Sequence, residues 1–374
     1  MGKTFIEKVL GAEKGSIVFK KPDIVLTHDN TFSIKQTFAK MGGTKVADPN
    51  QLLVVLDHNA PPTDAKLAND YQSIRNIVKE QGIEKFHDAG KGICHQIMSY
   101  YAKPGMIIVG SDSHTSTAGA FNSLAAGIDR TESAGIWKTG ETWFLVPDSM
   151  KITLIGKLNK GVYAKDISLW IIGKIGTDGA NYMSIEYHGE GVKSLSISER
   201  MTIANLASEM GAKSAVFPAD EVLAGFYGEK QIEGVWADPD ARYAVELEID
   251  LSEIFPVVAA PHNVENIKAV SEVQGTVLNQ AVIGTCTNGR LDDLRVAAEI
   301  LDGKKVADGF QLLVAFIEIT CSITAGLQVV HFLSGEPEEE EILRSDFFSY
   351  FDVGAVQSAY CERSIHRKLH VPGS

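Results

Sequence analysis

Short apolar runs, spaced by helix-length amphipathic segments, constrain this chain more than any other feature in it. Asp23-Ile24-Val25-Leu26-Thr27, Gln51-Leu52-Leu53-Val54-Val55-Leu56 and Gly105-Met106-Ile107-Ile108-Val109 each have strand length. Ala65 to Gln81, between the last two, repeats its apolar residues with the period of a helix. Continuous apolar strands are buried on both faces, and helices between them supply the cover. The pattern therefore predicts a layered α/β fold with a largely parallel sheet. In such sheets binding and catalytic groups gather just past the carboxyl ends of the strands.

At 374 residues the chain exceeds a single ordinary core, so two or three domains are expected. A first α/β domain is expected over residues 1–147. A second, opening at Pro147-Asp148-Ser149-Met150 before the strand Lys151–Leu154, is expected over 148–260. A third is expected over 261–374, beyond a linker marked by Pro256 and Pro261. The second carries Tyr187-His188-Gly189-Glu190-Gly191 and a helix near Thr202 to Gly211. The third carries a helix at Asp292–Glu299, whose acidic first turn suits the helix dipole.

The formal charge of −13 argues against nucleic acid or an anionic membrane as the main partner. An anionic small molecule stays possible, because a basic site can sit inside an acidic protein. Four scattered cysteines, Cys94, Cys286, Cys321 and Cys361, do not make a disulfide framework, and they fit a reducing, cytoplasmic setting. The first fifteen residues lack a secretory apolar core. The apolar stretch Phe310–Leu333 is interrupted by Gln311, Glu318, Gln328 and His331, which favours a buried strand and helix over a membrane span. The acidic run at 336–341 reads as a solvated segment.

Polar residues at the strand ends carry the candidate chemistry. Asp57-His58 follows the strand ending at Leu56, and Asp112-Ser113-His114 follows the one ending at Val109. His95 lies in Gly92-Ile93-Cys94-His95-Gln96. A carboxylate beside an imidazole fixes its tautomer and tunes its pKa for proton transfer. One such pair is an ordinary structural feature; two pairs and a third histidine, all at strand ends, point to a site. Asn205 and Glu209 are four residues apart on the expected helix and so share a face, suited to a hydroxyl or a metal-bound water. Gly284-Thr285-Cys286-Thr287-Asn288-Gly289-Arg290 sets a cysteine in a glycine-framed turn after the apolar run Ala281–Ile283. Backbone N–H groups and the Asn288 amide there could reach a thiolate or a cluster sulfide. Zinc, P-loop, dinucleotide and serine-elbow patterns are absent.

Two of these segments, Gly284–Arg290 and Gly110-Ser111-Asp112-Ser113-His114-Thr115, resemble signatures of the aconitase superfamily, in that family's order. Further resemblance to the large subunits of 3-isopropylmalate dehydratase and homoaconitase lies in Thr27-His28-Asp29, Asp57-His58-Asn59-Ala60-Pro61, Gly92–Gln96, Lys160–Asp166 and Glu209-Met210-Gly211-Ala212. The resemblance runs from about Phe5 to about Leu313. It implies a three-domain α/β/α architecture without the family's fourth, swivelling domain. It also implies a hydro-lyase that moves water within a hydroxy di- or tricarboxylic acid. The cofactor implied is a 4Fe–4S cluster whose open iron is a Lewis acid. By the same resemblance Asp57, His58, His95, Asp112, His114, Asn205 and Glu209 are catalytic, with His58 assisting departure of the hydroxyl. Ser113 and Arg290 bind substrate, and Cys286 and Cys361 ligate metal. The proton-abstracting serine would come from a small-subunit partner.

The family's Cys-x-x-Cys pair has no counterpart here. Phe351–Ser358 resembles the segment that precedes it, but a single cysteine, Cys361, follows. The later arginine segment is missing too, though Arg363 and Arg367 could imitate it. Three readings stay open. Cys286, Cys361 and Cys321 could complete a cluster by an unusual route. The chain could be a cluster-free, inactive relative that binds a small subunit. Or the divergent tail could be the product of an altered reading frame.

Overall fold

A computed structural model describes residues 2–307 and 309–315, together with the backbone of 331–333. The chain divides into two compact units, Met1–Asp88 with Ile93–Gly275, and Ala89–Gly92 with the chain from Thr276. Both sheet layers expected upstream of the Pro256/Pro261 segment lie inside the first unit.

The first layer is a five-stranded, fully parallel sheet. Its spatial order is Lys85–His87, Leu52–Val55, Ile24–Thr27, Ile107–Gly110, Leu124–Gly127. Ile24–Thr27, Leu52–Val55 and Ile107–Gly110 are buried along their whole length, as their unbroken apolar runs require. Numbered by sequence the order is 3-2-1-4-5. The direction of winding therefore reverses between Ile24–Thr27 and Ile107–Gly110. The helix Ala65–Gln81 has the expected bounds, and local chemistry sets both. The Asp64 carboxylate accepts from Leu67 N at 2.8 Å at its start, and Gly82 turns left-handed (φ 69°) at its end. Leu26, Leu53, Val55, Ile108 and Ala125 pack with Cys94, Met98, Phe121 and Met201 into one core.

The second layer is a four-stranded parallel sheet, ordered Ser214–Val216, Ser184–His188, Ser149–Ile155, Val245–Asp250. Ile152, Leu154, Ile185 and Tyr187 meet Ile172 and Met210 in its core. The expected linker is itself structured. Val257–Ala259 pairs antiparallel with Ile267–Ala269, and Val257 N donates to the buried Asp166 carboxylate at 2.9 Å.

A nine-residue 3-10 helix, Ser113–Phe121, joins the two layers, far longer than such helices usually run. Ser116 Oγ donates to Ala204 O at 2.8 Å, and Phe217 N donates to Gly119 O at 3.1 Å. Past its end, the buried Asn122 turns left-handed (φ 59°) and donates to Phe217 O and Val235 O, each at 2.9 Å. Gly119 lies so close to the second sheet that a Cβ there would fall 1.6 Å from Ala215 O.

In the second unit Gln280–Ile283 pairs parallel with Gln311–Val314, which pairs antiparallel with 331–333. The helix Leu291–Leu301 packs Leu294 against Leu312 and Val314. Of the apolar stretch Phe310–Leu333, residues 316–330 fall outside the described residues. No described helix is long and apolar enough to cross a membrane.

Candidate active site

The strand order reverses between Ile24–Thr27 and Ile107–Gly110, the place where such sheets carry their sites, and the first unit's Asp57, His58, His95, Asp112 and His114 meet past the carboxyl ends of these strands. Asp112, which caps the Ser113–Phe121 helix, is the hub. Its Oδ1 accepts from His95 Nε2 at 2.9 Å and from His114 N at 2.8 Å, and its Oδ2 faces His58 Nε2 at 3.1 Å. The other ring nitrogen of His58, Nδ1, lies 2.7 Å from Asp57 Oδ1. The second oxygen of Asp57 accepts from Cys94 N at 2.7 Å. His95 is buried on the short helix Cys94–Met98, while His58 keeps 39% of its side chain exposed and so is the group of this set that opens to solvent.

This arrangement dictates protonation. A carboxylate can only accept, so an imidazole held between two of them must donate from both nitrogens and is therefore a cation. The hydrogen bond to Asp112, then that to Asp57, pushes the His58 pKa up to about 10 against the opposing effect of burial. Burial would raise the pKa of Asp112, but the hydrogen bonds from His58 and His95 outweigh it and hold the carboxyl well below its usual range. Asp57 is lowered likewise: burial opposes, and His58 prevails.

The linkage has opposite signs at the two ends of the pH scale. The His58 contribution to stability is fully present below its ordinary value of 6.5 and is lost as pH rises through about 10. The Asp57 and Asp112 contributions are present above 3.8 and are lost as pH falls below it. The expected result is that His58 still gives an imidazolium signal at neutral pH and titrates near 10 in a side-chain nitrogen NMR experiment. A His58 midpoint near the ordinary value of 6.5 would contradict the doubly donating geometry.

His28 belongs to this site although its chemistry was not singled out from the sequence. Its ring stacks on His58, with centroids 3.9 Å apart and planes at 24°. Burial, then the neighbouring His58 charge, lowers its pKa, so a neutral ring lies against a charged one. His28 Nε2 lies 2.6 Å from Asn30 Nδ2 and 3.3 Å from Ser111 O, while Nδ1 is buried with no hydrogen-bond partner among the described residues. The usable signal was positional: His28-Asp29 follows its strand as Asp57-His58 follows the next.

Asn205 and Glu209 do not share one helix as expected. The helix Ile197–Leu206 ends there and tightens into a 3-10 turn, Ala207–Met210. Both residues nonetheless reach the Asp112 segment. Asn205 is fully buried and donates to Thr117 Oγ1 at 3.0 Å, which gives it a bracing contact. Glu209 Oε1 lies 3.4 Å from His114 Nε2. Ser113 is exposed, 3.4 Å from His114 Nδ1.

The second unit carries the Cys286 turn. Thr285 has φ 68°, a strained value for a β-branched residue, and it lifts Cys286 into the one-turn helix Thr285–Asn288 with the thiol part-buried. Arg290 is buried, and its guanidinium donates to the carbonyl oxygens of Cys286 and Thr287. Asn288, expected to reach a sulfur, donates to Asp293 Oδ1 at 2.7 Å. Both side chains brace the turn. Among the described residues, the donor set for a 4Fe–4S cluster is incomplete. Cys94 is buried in the core of the first unit, Cys286 supplies one suitable thiol, and Cys321 and Cys361 lie outside the described residues.

Comparison with known proteins gives a consistent picture. The family described as aconitase family (aconitate hydratase) matches residues 3–276. The 3-isopropylmalate dehydratase large subunit 1 of Methanopyrus kandleri is 44% identical over 326 residues, covering 84% of this chain and 78% of that protein. The probable methanogen homoaconitase large subunit of Methanosarcina mazei is 44% identical over 290 residues, covering 76% and 74%. The methanogen homoaconitase large subunit of Methanocaldococcus jannaschii is 39% identical over 330 residues, covering 83% and 78%.

Proposed function

Because this chain belongs to the aconitase family, we propose that it is the large subunit of a hydro-lyase that reversibly dehydrates a hydroxy di- or tricarboxylic acid of the 3-isopropylmalate or homocitrate kind. The observation that carries the proposal is the doubly donating His58, held between Asp57 and Asp112 past the carboxyl ends of the five-stranded sheet.

Dehydration needs a proton for the departing hydroxyl and a base for the hydrogen on the neighbouring carbon. His58 is the donor. At neutral pH it carries the proton, and its partly exposed ring is the face of the site a ligand can reach. A donor with a pKa near 10 is too weak an acid to work well at neutral pH. A substrate hydroxyl that takes the place of Asp112 at Nε2 removes one of the two carboxylates, so the same step that aligns the hydroxyl makes His58 more acidic. Protonated hydroxyl leaves as water, and the resulting neutral imidazole stays hydrogen-bonded to Asp57. Asp112 stays held by His95 and by His114 N. The "large subunit" names of the relatives support a small-subunit partner, and the base is the part that the resemblance assigns to it.

A 4Fe–4S cluster would supply Lewis acidity to the substrate hydroxyl. Cys286 is the described residue that would hold it, and because the described donor set is incomplete, no step above depends on it. The test is turnover of 3-isopropylmalate and of homocitrate by the chain co-produced with a small subunit, after anaerobic loading with iron and sulfide. Formation of an unsaturated acid from either supports the assignment. A complex that loads iron, forms with the small subunit and turns over neither acid would remove it. A colourless protein that still pairs with the small subunit would favour the inactive-relative reading.

A further inference from the structure

The loop that carries Asp57 and His58 leaves its strand as irregular backbone, and something must hold it in register with Asp112. Asp29 is in a position to do so. It lies just past Ile24–Thr27, the strand that pairs in parallel with Leu52–Val55, so the two chain segments emerge side by side. Its carboxylate is buried and turned across to the neighbouring loop. Oδ1 accepts from Asp57 N at 3.0 Å. Oδ2 accepts from Asn59 N at 2.6 Å and from Asn59 Nδ2 at 3.0 Å. One carboxylate thus takes three donors from residues on both sides of His58, and touches His58 itself with none.

We propose that Asp29 is a positioning residue. By clamping the Asp57–Asn59 turn it sets the reach of His58 to Asp112, and with it the ability of His58 to hold and release a proton. The proposal rests on the assignment of His58 as the proton donor, but its geometry and its test are independent of turnover. Backbone N–H groups on either side of one residue, bonded to a single rigid acceptor, leave that residue little torsional freedom. Without the clamp the turn would relax toward solvent, and the 3.1 Å contact between His58 Nε2 and Asp112 would lengthen first, since it spans two chain segments. The Asp57 contact, between adjacent residues, would persist. The charged groups facing His58 are Asp57 and Asp112, with the neutral His28 ring stacked on it. Tyr71 faces Asp29: burial first, and then the Asp29 carboxylate, keep its phenol protonated.

The test is a side-chain NMR titration of His58 in the full chain, assigned against His58→Gln, in two variants whose folding is followed by thermal melting. Asp29→Asn removes a negative charge as well as the clamp. Asn59→Ala removes one of the three donors, at an exposed position, and changes no charge. Clamping predicts a lower His58 midpoint in both, by roughly one unit in Asp29→Asn and about half of that in Asn59→Ala. A fall in Asp29→Asn with no change in Asn59→Ala would mean that Asp29 acts only through its field, and would overturn the proposal. Unchanged midpoints in two folded variants would overturn it as well. If Asp29→Asn does not fold, the Asn59→Ala midpoint decides alone: a fall supports the clamp and an unchanged value ends it.

Discussion

Asp112→Asn is expected to reduce turnover of the loaded complex by about 10²- to 10⁴-fold while leaving the chain folded. Two properties of Asp112 separate in this variant. As a helix cap it accepts from His114 N, and asparagine caps about as well as aspartate, so the melting temperature should change little. As a charge it faces His58 Nε2 and His95 Nε2, and asparagine replaces one acceptor oxygen with a donor that opposes an N–H. His58 then keeps only the Asp57 contact, and its titration midpoint should drop from about 10 toward 6.5. Steady-state kinetics, melting and the His58 titration on the same sample read these effects apart. Near-full turnover in a folded Asp112→Asn complex would mean that the hub is structural. Loss of folding would mean that its charge is needed before any chemistry begins.

Gly119→Ala is expected to be the most damaging single-carbon change in the first unit. The new Cβ would lie 1.6 Å from Ala215 O and 2.8 Å from Ala215 C. Those atoms belong to the strand Ser214–Val216, paired in parallel with Ser184–His188, so they cannot move without breaking the ladder. Gly119 O also accepts from Phe217 N, a bond lost if the helix retreats. Overpacking against backbone in a filled core sits at the severe end of point substitutions, about 4–5 kcal/mol or more, a large part of a domain's whole stability. Gly135→Ala is the internal control. Gly135 lies inside the helix Arg130–Thr139 with nothing within 4 Å of its added carbon. It should raise stability by roughly 0.5–1 kcal/mol. Denaturant midpoints moving in opposite directions would confirm that space, and not glycine content, governs both sites.

Much of the candidate site was legible from strand ends. Asp57-His58 and Asp112-Ser113-His114 stood out because polar residues followed unbroken apolar runs, and the sheet places them where such runs end. The helix Ala65–Gln81 was legible to the residue because Asp64 and Gly82 punctuate it. What the pattern could not supply was strand order. Nothing local says that Ile24–Thr27 lies between Leu52–Val55 and Ile107–Gly110, and it is that placement which stacks His28 on His58 and aims Asp29 at the Asp57 loop. The end of the Ile197–Leu206 helix was hidden for a similar reason. Neither Gly nor Pro marks Leu206, and the tightening that follows comes with packing against the Ser113–Phe121 segment. A sequence does not show which way a side chain turns: Arg290 donates to Cys286 O and Asn288 to Asp293 Oδ1 within their own loop. Cys321 and Cys361 lie outside the described residues.

The long 3-10 helix has a consequence for how this chain can be divided. Its first residue is capped by the hub of the site, and the residue after its last is fastened to Phe217 and Val235. The change of sheet near residue 148 therefore marks a change of architecture without marking a seam. Severed there, the first piece would carry an unsheathed axle, with Ser116, Gly119 and Asn122 stripped of the carbonyl and amide groups that receive them. The candidate site depends on a layer that contributes few of its polar groups. Inheritance, recombination or engineering that treats the two sheets as exchangeable parts would exchange the alignment of Asp112 along with them.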